Sequence, residues 1–192
     1  HNVLYVLSRG AFSNDRAPLQ RSYEAILIHN HVVLRLQDMG IYLFGAEEHT
    51  REDSLRFLLI NPERLTQPPF GILYIAAVLE RNGHEVKALE IPYIMDEQAR
   101  NALADSEIRG YLPDAIGITF MTPQAEISKS LIGFIKNRFK NIKIIAGGVH
   151  PTLMYGDVLL WGADVICAGE GEETMLELAK AMDSGADIGG IK

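Results

Sequence analysis

The sequence predicts an α/β fold with a doubly wound, five-stranded parallel sheet between residues 55 and 192. From residue 55 onward, short aliphatic runs alternate with longer stretches of helical period, which is typical of βαβ units. Each run is nearly continuous in apolar residues, as expected of strands that helices cover on both faces. The composition, 47% hydrophobic and 22% charged over 192 residues, is that of a globular domain. The predicted strands are residues 56–61, 85–90, 115–120, 143–146 and 164–168.

Helices are predicted between these strands. In the first interval, apolar residues recur at helical spacing before the stop signal Asn82-Gly83. A second helix is predicted near residues 97–104, and a third begins at Pro123. The apolar stripes of the first and last helices are Ile72, Ile75, Ala76 and Leu79, and Met175, Leu178, Ala179 and Met182.

Residues 1–54 are predicted to form a small N-terminal α/β extension of uncertain fold, distinct from the domain at residues 55–192. The charged stretch 50–54 lacks large apolar residues and is the candidate linker. Within the extension, the predicted elements are a helix at residues 16–28 and strands at 3–7, 32–36 and 41–44.

Charge and cysteine content exclude several functions. A net charge of −7 gives no electrostatic reason to bind nucleic acid, which attracts clustered Lys and Arg. Cys167 is the only cysteine, so the chain has neither a disulfide nor three cysteines for an iron–sulfur cluster. No apolar run approaches the roughly 20 residues that span a bilayer, and no signal pattern opens the chain. We expect a cytoplasmic protein with no nucleic-acid or membrane partner.

The loops after the predicted strands are where a ligand site is expected, because open parallel sheets bind ligands beyond the carboxyl ends of their strands. The first loop, residues 61–71, is long and rich in proline, and it ends at Pro69, Phe70 and Gly71. Loops that only connect are usually shorter. It is either a stiff lid over the sheet edge or a ligand contact.

The loop after the third strand carries Thr119, Phe120, Met121 and Thr122 just before a helix. The free N–H groups of a helix N-terminus attract polar ligands, so these residues are candidates for contact. Thr122 is equally suited to capping the helix.

Two glycine-containing loops follow the fourth and fifth strands. Gly147 and Gly148 lack side chains that would keep a ligand from the backbone, but adjacent glycines are also typical of tight turns. Val149 and His150 follow, and the His150-Pro151 pair suits either a turn or cofactor contact. The last loop contains Gly169, Glu170 and Gly171; it lacks the third glycine of a dinucleotide fingerprint, and its carboxylates oppose a pyrophosphate.

These loops, in this order, resemble the N-terminal B12-binding domain of B12-dependent radical SAM enzymes over about residues 55–192. The segments that carry the resemblance are Asn61-Pro62, residues 68–79, residues 82–86, residues 147–152 and residues 169–172. The resemblance implies a flavodoxin-like, Rossmann-like fold that binds cobalamin, with the corrin across the strand ends. Its implied cofactor-binding residues are Pro69, Phe70, Gly71, Thr119, Phe120, Met121, Thr122, Gly147, Gly148, Val149, His150, Gly169, Glu170 and Gly171.

Related cobalamin domains carry an Asp-x-His-x-x-Gly loop after the first strand, and its histidine binds cobalt from below. Residues 61–71 contain no histidine, so the resemblance implies base-off cobalamin without a histidine lower ligand. It also implies that S-adenosylmethionine and a 4Fe-4S cluster bind in a radical SAM barrel elsewhere in the parent chain. The parent would then be a methyltransferase or an oxidoreductase, whereas this chain alone would not be the catalyst.

Three other functions are compatible with the fold. A flavin module would need a hydroxyl-rich phosphate loop after the first strand, where this chain has prolines. A phosphoacceptor receiver would need a carboxylate ending the third strand and a lysine ending the fifth, but Thr119 and Ala168 stand there. A flavodoxin-like structural or interaction domain that has lost its cofactor remains the open alternative.

Overall fold

The computed structural model describes residues 27–28, 31–34, 54–62, 69–92, 94–186 and 188. One sheet of seven strands lies at its centre, in the order β1-β2-β4-β3-β5-β6-β7. The strands from β3 to β7 are all parallel, whereas β1 and β2 add to the β4 edge in antiparallel pairing. Their bounds are β1 (Leu27–Ile28), β2 (His31–Leu34), β3 (Arg56–Asn61), β4 (Glu85–Glu90), β5 (Ala115–Thr119), β6 (Lys143–Gly147) and β7 (Val165–Cys167).

Helices connect the parallel strands, and local sequence signals set several of their ends. The side chain of Asp96 accepts a hydrogen bond from the Ala99 N–H at 2.8 Å and so caps the second helix. The first helix ends where Gly83 adopts a φ of 88°, which glycine does at little cost. The helices are α1 (Phe70–Arg81), α2 (Glu97–Tyr111), α3 (Ala125–Arg138), α4 (Val149–Leu153), α5 (Tyr155–Leu160) and α6 (Glu172–Ser184), with a 3-10 turn at Thr122–Gln124.

The core lies on both faces of the sheet, as the doubly wound prediction requires. Alternate residues of each strand point to opposite faces. Phe57 and Leu59 of β3 therefore pack with α1 and α6, while Leu58 and Ile60 pack with α2, α3 and α5. The flavodoxin-like α/β fold with five parallel strands is confirmed.

The structure differs from the sequence prediction mainly between β6 and β7. Neither α4 nor α5 was predicted, because each spans less than two helical turns and Pro151 and Gly156 interrupt any periodic stripe. Helix α2 runs to Tyr111 rather than ending near residue 104, since Ile108 is buried one turn further on. The predicted ends of β5, β6 and β7 are off by one residue.

The N-terminal extension contributes two strands to the same sheet. The strand predicted at residues 32–36 is found as β2, displaced toward its N-terminus. The helix predicted at residues 16–28 is wrong at its last two residues, which form β1 because Leu27 and Ile28 pair with β2. The strands predicted at 3–7 and 41–44 lie outside the described residues, and the division into two domains stays a prediction. Among the described helices, none combines the length and apolar character needed to cross a membrane.

Candidate functional site

A cleft opens at the carboxyl ends of the parallel strands, on the side of the sheet covered by α1 and α6. Strand β3 leads to β4 on one side and to β5 on the other, and ligands of open α/β sheets bind at such a switch point. The cleft has a volume of about 140 Å³. We call it the α1–α6 cleft; it is lined by Leu59, Gly71, Ile72, Ile75, Gly117, Ile118, Thr119, Ile145, Gly147, Gly148, Cys167, Gly169, Glu170, Gly171, Glu172 and Met175.

The sheet side of the cleft is lined by small residues at neighbouring positions. Thr119 of β5 pairs with Gly147 of β6, and Gly147 pairs with Cys167 of β7. One step deeper, Gly117 lies between Leu59 and Ile145. A Cβ at Gly117 would stand 2.8 Å from Leu59 Cδ2, so glycine there leaves room for the leucine.

Gly117 was not predicted as a site residue, although a glycine inside an otherwise apolar strand is a recognised sign that a ligand or another backbone segment approaches closely. The other cleft residues that sequence analysis missed were interpreted as ordinary core or connection. They are Leu59, Ile72, Ile75, Ile118, Ile145, Cys167, Glu172 and Met175.

The adjacent glycines at the end of β6 have different physical roles. Gly148 has a φ of +96°, and a Cβ there would lie 2.8 Å from the Phe120 carbonyl oxygen, so the fold itself requires glycine. A Cβ at Gly147 would meet nothing closer than 3.6 Å, at the Cys167 carbonyl oxygen, which is ordinary contact. Gly147 points to the same side of β6 as Ile145, toward the cleft. The protein's own packing therefore does not explain why residue 147 is glycine.

A hydroxyl group joins the two glycine loops at the mouth of the cleft. Thr152 Oγ1 donates to the Gly148 carbonyl oxygen at 2.9 Å and accepts from the Gly169 N–H at 3.2 Å. Gly169 also has a positive φ, of +77°, so both loops depend on glycine conformations. Thr152 thus links the Gly148 and Gly169 backbones through its hydroxyl group.

The electrostatic character of the cleft is acidic at the mouth and neutral inside. Glu170 and Glu172 lie at the mouth, and none of the described residues that line the cleft is basic. Burial raises the pKa of the Cys167 thiol, so this cysteine is a neutral, small apolar side chain. Within the described side chains, no group of three or more His, Cys, Asp or Glu residues could hold a metal ion.

The opposite side of the same strand ends is filled by aromatic rings. The His150 ring lies 5.6 Å from the Phe120 ring and 5.7 Å from the Trp161 ring. His150 is buried, and its Nδ1 lies 3.2 Å from Thr122 Oγ1. We call Phe120, His150 and Trp161 the aromatic trio. It places His150 in the core rather than in the cleft.

The predicted site residues therefore fall into three groups. Seven line the α1–α6 cleft: Gly71, Thr119, Gly147, Gly148, Gly169, Glu170 and Gly171. Phe70, at the start of α1, and Met121 and Val149, shortly after the ends of β5 and β6, are exposed apolar residues. The others lie apart from the cleft: Pro69 beside Asn61 and Leu73, and Phe120, Thr122 and His150 on the side of the aromatic trio.

Comparison with known proteins identifies the family. The family model described as the B12 binding domain matches residues 59–179. The chain belongs to the B12-binding domain family. The match begins within β3 and ends within α6, so it contains the other four parallel strands and every residue that lines the cleft.

Relatives of this B12-binding domain are longer proteins. An anaerobic magnesium-protoporphyrin IX monomethyl ester cyclase of Synechocystis is 31% identical over 151 residues, which are 70% of this chain and 29% of that protein. The structure of the radical S-adenosylmethionine methyltransferase TsrM from Kitasatospora setae, with cobalamin and a 4Fe-4S cluster bound, aligns with a TM-score of 0.62 at 23% identity. That alignment covers 72% of this chain and 28% of TsrM.

The cobalamin-dependent S-adenosylmethionine radical enzyme OxsB, with aqua-cobalamin and S-adenosylmethionine bound, aligns with a TM-score of 0.61 at 17% identity. The match covers 73% of this chain and 20% of OxsB. At these identities the two structures show the shared fold. The chain spans between 19% and 29% of the length of the first curated relatives that it matches.

Proposed function

We propose that this chain binds cobalamin in the base-off form, with the nucleotide tail in the α1–α6 cleft and no histidine beneath the metal. The observation that carries the proposal is Gly147. The protein leaves a space beside it that a side chain could enter, and that space opens into the cleft. A glycine that packing does not require is explained if a ligand passes against the backbone there.

The size of the cleft supports a tail site rather than a site for the whole cofactor. Its volume of about 140 Å³ is far below that of a corrin ring. An apolar cavity of roughly 150 Å³ holds a molecule the size of benzene, so the α1–α6 cleft suits one flat aromatic base that extends toward the mouth. A base held there is not available to cobalt, which supports the base-off form.

The remaining predicted residues are proposed to support the cofactor from outside the cleft. Phe70, Met121 and Val149 are exposed apolar side chains near the strand ends, where the corrin would lie. Pro69, Phe120, Thr122 and His150 stay predictions, because their packing places them behind the loops rather than in the cleft.

The loop after β3 supports cobalamin without a protein ligand to cobalt. Residues 61–71 contain no histidine in the sequence. His150 is held against Phe120 and Trp161 on the other side of the sheet. Neither residues 61–71 nor His150 therefore supplies an imidazole for the lower face of the corrin.

The parent protein is proposed to be a B12-dependent radical SAM enzyme, and specifically a methyltransferase. When bound, cobalamin supplies the cobalt chemistry, while this chain binds and orients the cofactor and excludes water from its tail. S-adenosylmethionine and the 4Fe-4S cluster would bind in a barrel of the parent chain. The small share of each relative that the chain spans supports this division of roles. The cytoplasmic location stays a prediction.

The test is to mix the purified chain with hydroxocobalamin, remove free cofactor by desalting and record the absorption spectrum of the protein fraction. We expect about one equivalent of corrinoid to be retained, with a spectrum shifted toward the base-off form. Flavin mononucleotide, tested in parallel, should not be retained, because the loop after β3 carries prolines where a flavin module has a hydroxyl-rich phosphate loop. Failure of both this chain and the full-length parent to retain cobalamin would instead support a domain that has lost its cofactor.

A further inference from the structure

The deep half of the α1–α6 cleft is built from hydrocarbon side chains. Leu59, Ile145 and Met175 are buried there, and Ile75 of α1 completes the enclosure. The polar side chains that line the cleft, Thr119, Glu170 and Glu172, belong to the strand end and the mouth.

The backbone in this deep half offers no hydrogen-bonding groups either. Gly117 lies in β5 between β3 and β6, paired with Leu59 on one side and Ile145 on the other. The N–H and C=O groups of such a central strand are used in the parallel ladder. Met175 is also engaged, since its N–H donates to the Gly171 carbonyl oxygen at 2.9 Å. A ligand group that packs against Leu59, Gly117, Ile145 and Met175 therefore finds contact surface but no free hydrogen-bonding group.

We infer that the cleft selects corrinoids by their lower base, and that it favours dimethylbenzimidazole over adenine. The inference rests on the proposed function. Dimethylbenzimidazole carries two methyl groups on the edge remote from the ribose, and these match a hydrocarbon lining. Adenine carries an exocyclic amino group and further ring nitrogens, which would lose their bonds to water without replacement.

The expected selectivity is moderate. Apolar pockets typically discriminate by about ten- to a hundredfold against a ligand of similar shape that adds polar groups. The ligand class that follows is corrinoids with benzimidazole lower bases. Cobinamide, which lacks the nucleotide, should bind more weakly than cobalamin because it leaves the cleft empty.

The test is equilibrium dialysis of the chain against cobalamin, the adenine-containing analogue pseudocobalamin and cobinamide, each as the dicyano form. Cyanide displaces the base from cobalt, so the comparison excludes differences in base–cobalt bonding. We expect cobalamin to bind at least about tenfold more tightly than either other corrinoid. Equal affinity for cobalamin and pseudocobalamin would overturn the inference while leaving corrinoid binding intact. Binding of none of the three, both by this chain and by the full-length parent, would overturn the proposed function as well.

A variant sharpens this test by adding hydrogen-bonding capacity to the deep half. Met175→Gln keeps the side-chain length and places an amide in the cleft, so the preference for cobalamin over pseudocobalamin should narrow severalfold. Met182→Gln, further along α6 and outside the cleft, is the matched control and should retain the wild-type preference. An unchanged preference for cobalamin over pseudocobalamin in folded Met175→Gln would contradict the inference. If that variant does not fold, the affinities of the wild-type chain for the three corrinoids decide the question.

Discussion

The two faces of the sheet differ at the carboxyl ends of the same strands. On the face covered by α1 and α6, Gly117, Thr119 and Gly147 leave a cleft of about 140 Å³. On the opposite face, the aromatic trio of Phe120, His150 and Trp161 fills the corresponding space. One face is hollow and the other is closed, although both come from the same short apolar strands.

The difference arises from the residues at alternate positions of β5 and β6. Within β5, Ile116 and Ile118 point toward α2 and α3, while Ala115, Gly117 and Thr119 point toward α1 and α6. Small residues at every second position of a strand hollow one face and leave the other filled. A ligand site can therefore be made without weakening the core behind it.

The largest effect is expected on the filled face, from Phe120→Ala. Phe120 is 4% exposed, stacks on Trp161 and packs against the tilted His150 ring, so its removal should lower the free energy of unfolding by about 3–5 kcal/mol. Urea denaturation measures this change. Met121→Ala, at an exposed neighbour, should cost about 0.5 kcal/mol or less. Similar losses in the two variants would show that the trio does not pack as a core.

A smaller effect is expected from removing the two hydrogen bonds by which Thr152 joins the glycine loops. Thr152→Val keeps the side-chain shape but removes both hydrogen bonds, so the free energy of unfolding should fall by about 1–2 kcal/mol. Cobalamin affinity should also fall several-fold, because the loops at the cleft mouth lose their fixed spacing. Denaturation and equilibrium dialysis measure the two effects.

Two further variants test whether the Thr152 hydroxyl, which joins the two glycine loops, has an effect that the loss of a local hydrogen bond does not have. Thr152→Ser retains the hydroxyl and should restore cobalamin affinity. Ser184→Ala removes only local hydrogen bonds, to the Lys180 carbonyl oxygen at 2.8 Å and the Ala181 carbonyl oxygen at 3.2 Å, and should leave affinity unchanged. A Thr152→Val variant with wild-type affinity for cobalamin would show that the hydrogen bonds of Thr152 do not shape the α1–α6 cleft.

The smallest effect is expected from Glu80 of α1, a helix that covers the face of the sheet with the α1–α6 cleft, and it concerns the pH dependence of stability. Burial raises the pKa of Glu80 from 4.5 to about 7. The folded protein keeps this proton through that range while the unfolded chain releases it, so the contribution of Glu80 to stability is fully present below pH 4.5 and is lost as the pH rises to about 7. Glu80→Gln should reduce this loss, as measured by urea denaturation at about pH 5 and about pH 8. An identical pH dependence in the variant would show that Glu80 is solvated in the folded state.

The sequence was sufficient for the parallel sheet because its strands are apolar on both faces. Residues 56–61 and 85–90 were predicted with the bounds that β3 and β4 have. It was insufficient for α4 and α5, whose few residues carry no periodic stripe. It was also insufficient for β1, because two residues form a strand only through pairing with β2.

The candidate site was predicted where backbone geometry carries the signal. The glycine loops at residues 147–148 and 169–171 were identified because glycine marks turns and close approach. His150 shows the limit: its place in the motif suited cofactor contact, but packing against Phe120 and Trp161 depends on residues distant in the chain. The apolar depth of the cleft was missed for the same reason, since Leu59 and Met175 are indistinguishable from core residues in the sequence.

Equilibrium dialysis of cobalamin against Gly147→Leu and Gly133→Leu determines whether the α1–α6 cleft holds the cofactor. Leucine at residue 147 would enter the α1–α6 cleft without a backbone clash, so affinity should fall by at least about tenfold while the free energy of unfolding is unchanged or raised. Gly133 lies on α3 with no atom near its Cβ position, so leucine there adds the same atoms outside the cleft and should leave affinity unchanged. Wild-type affinity in a folded Gly147→Leu protein would contradict the claim that this cleft holds the cofactor.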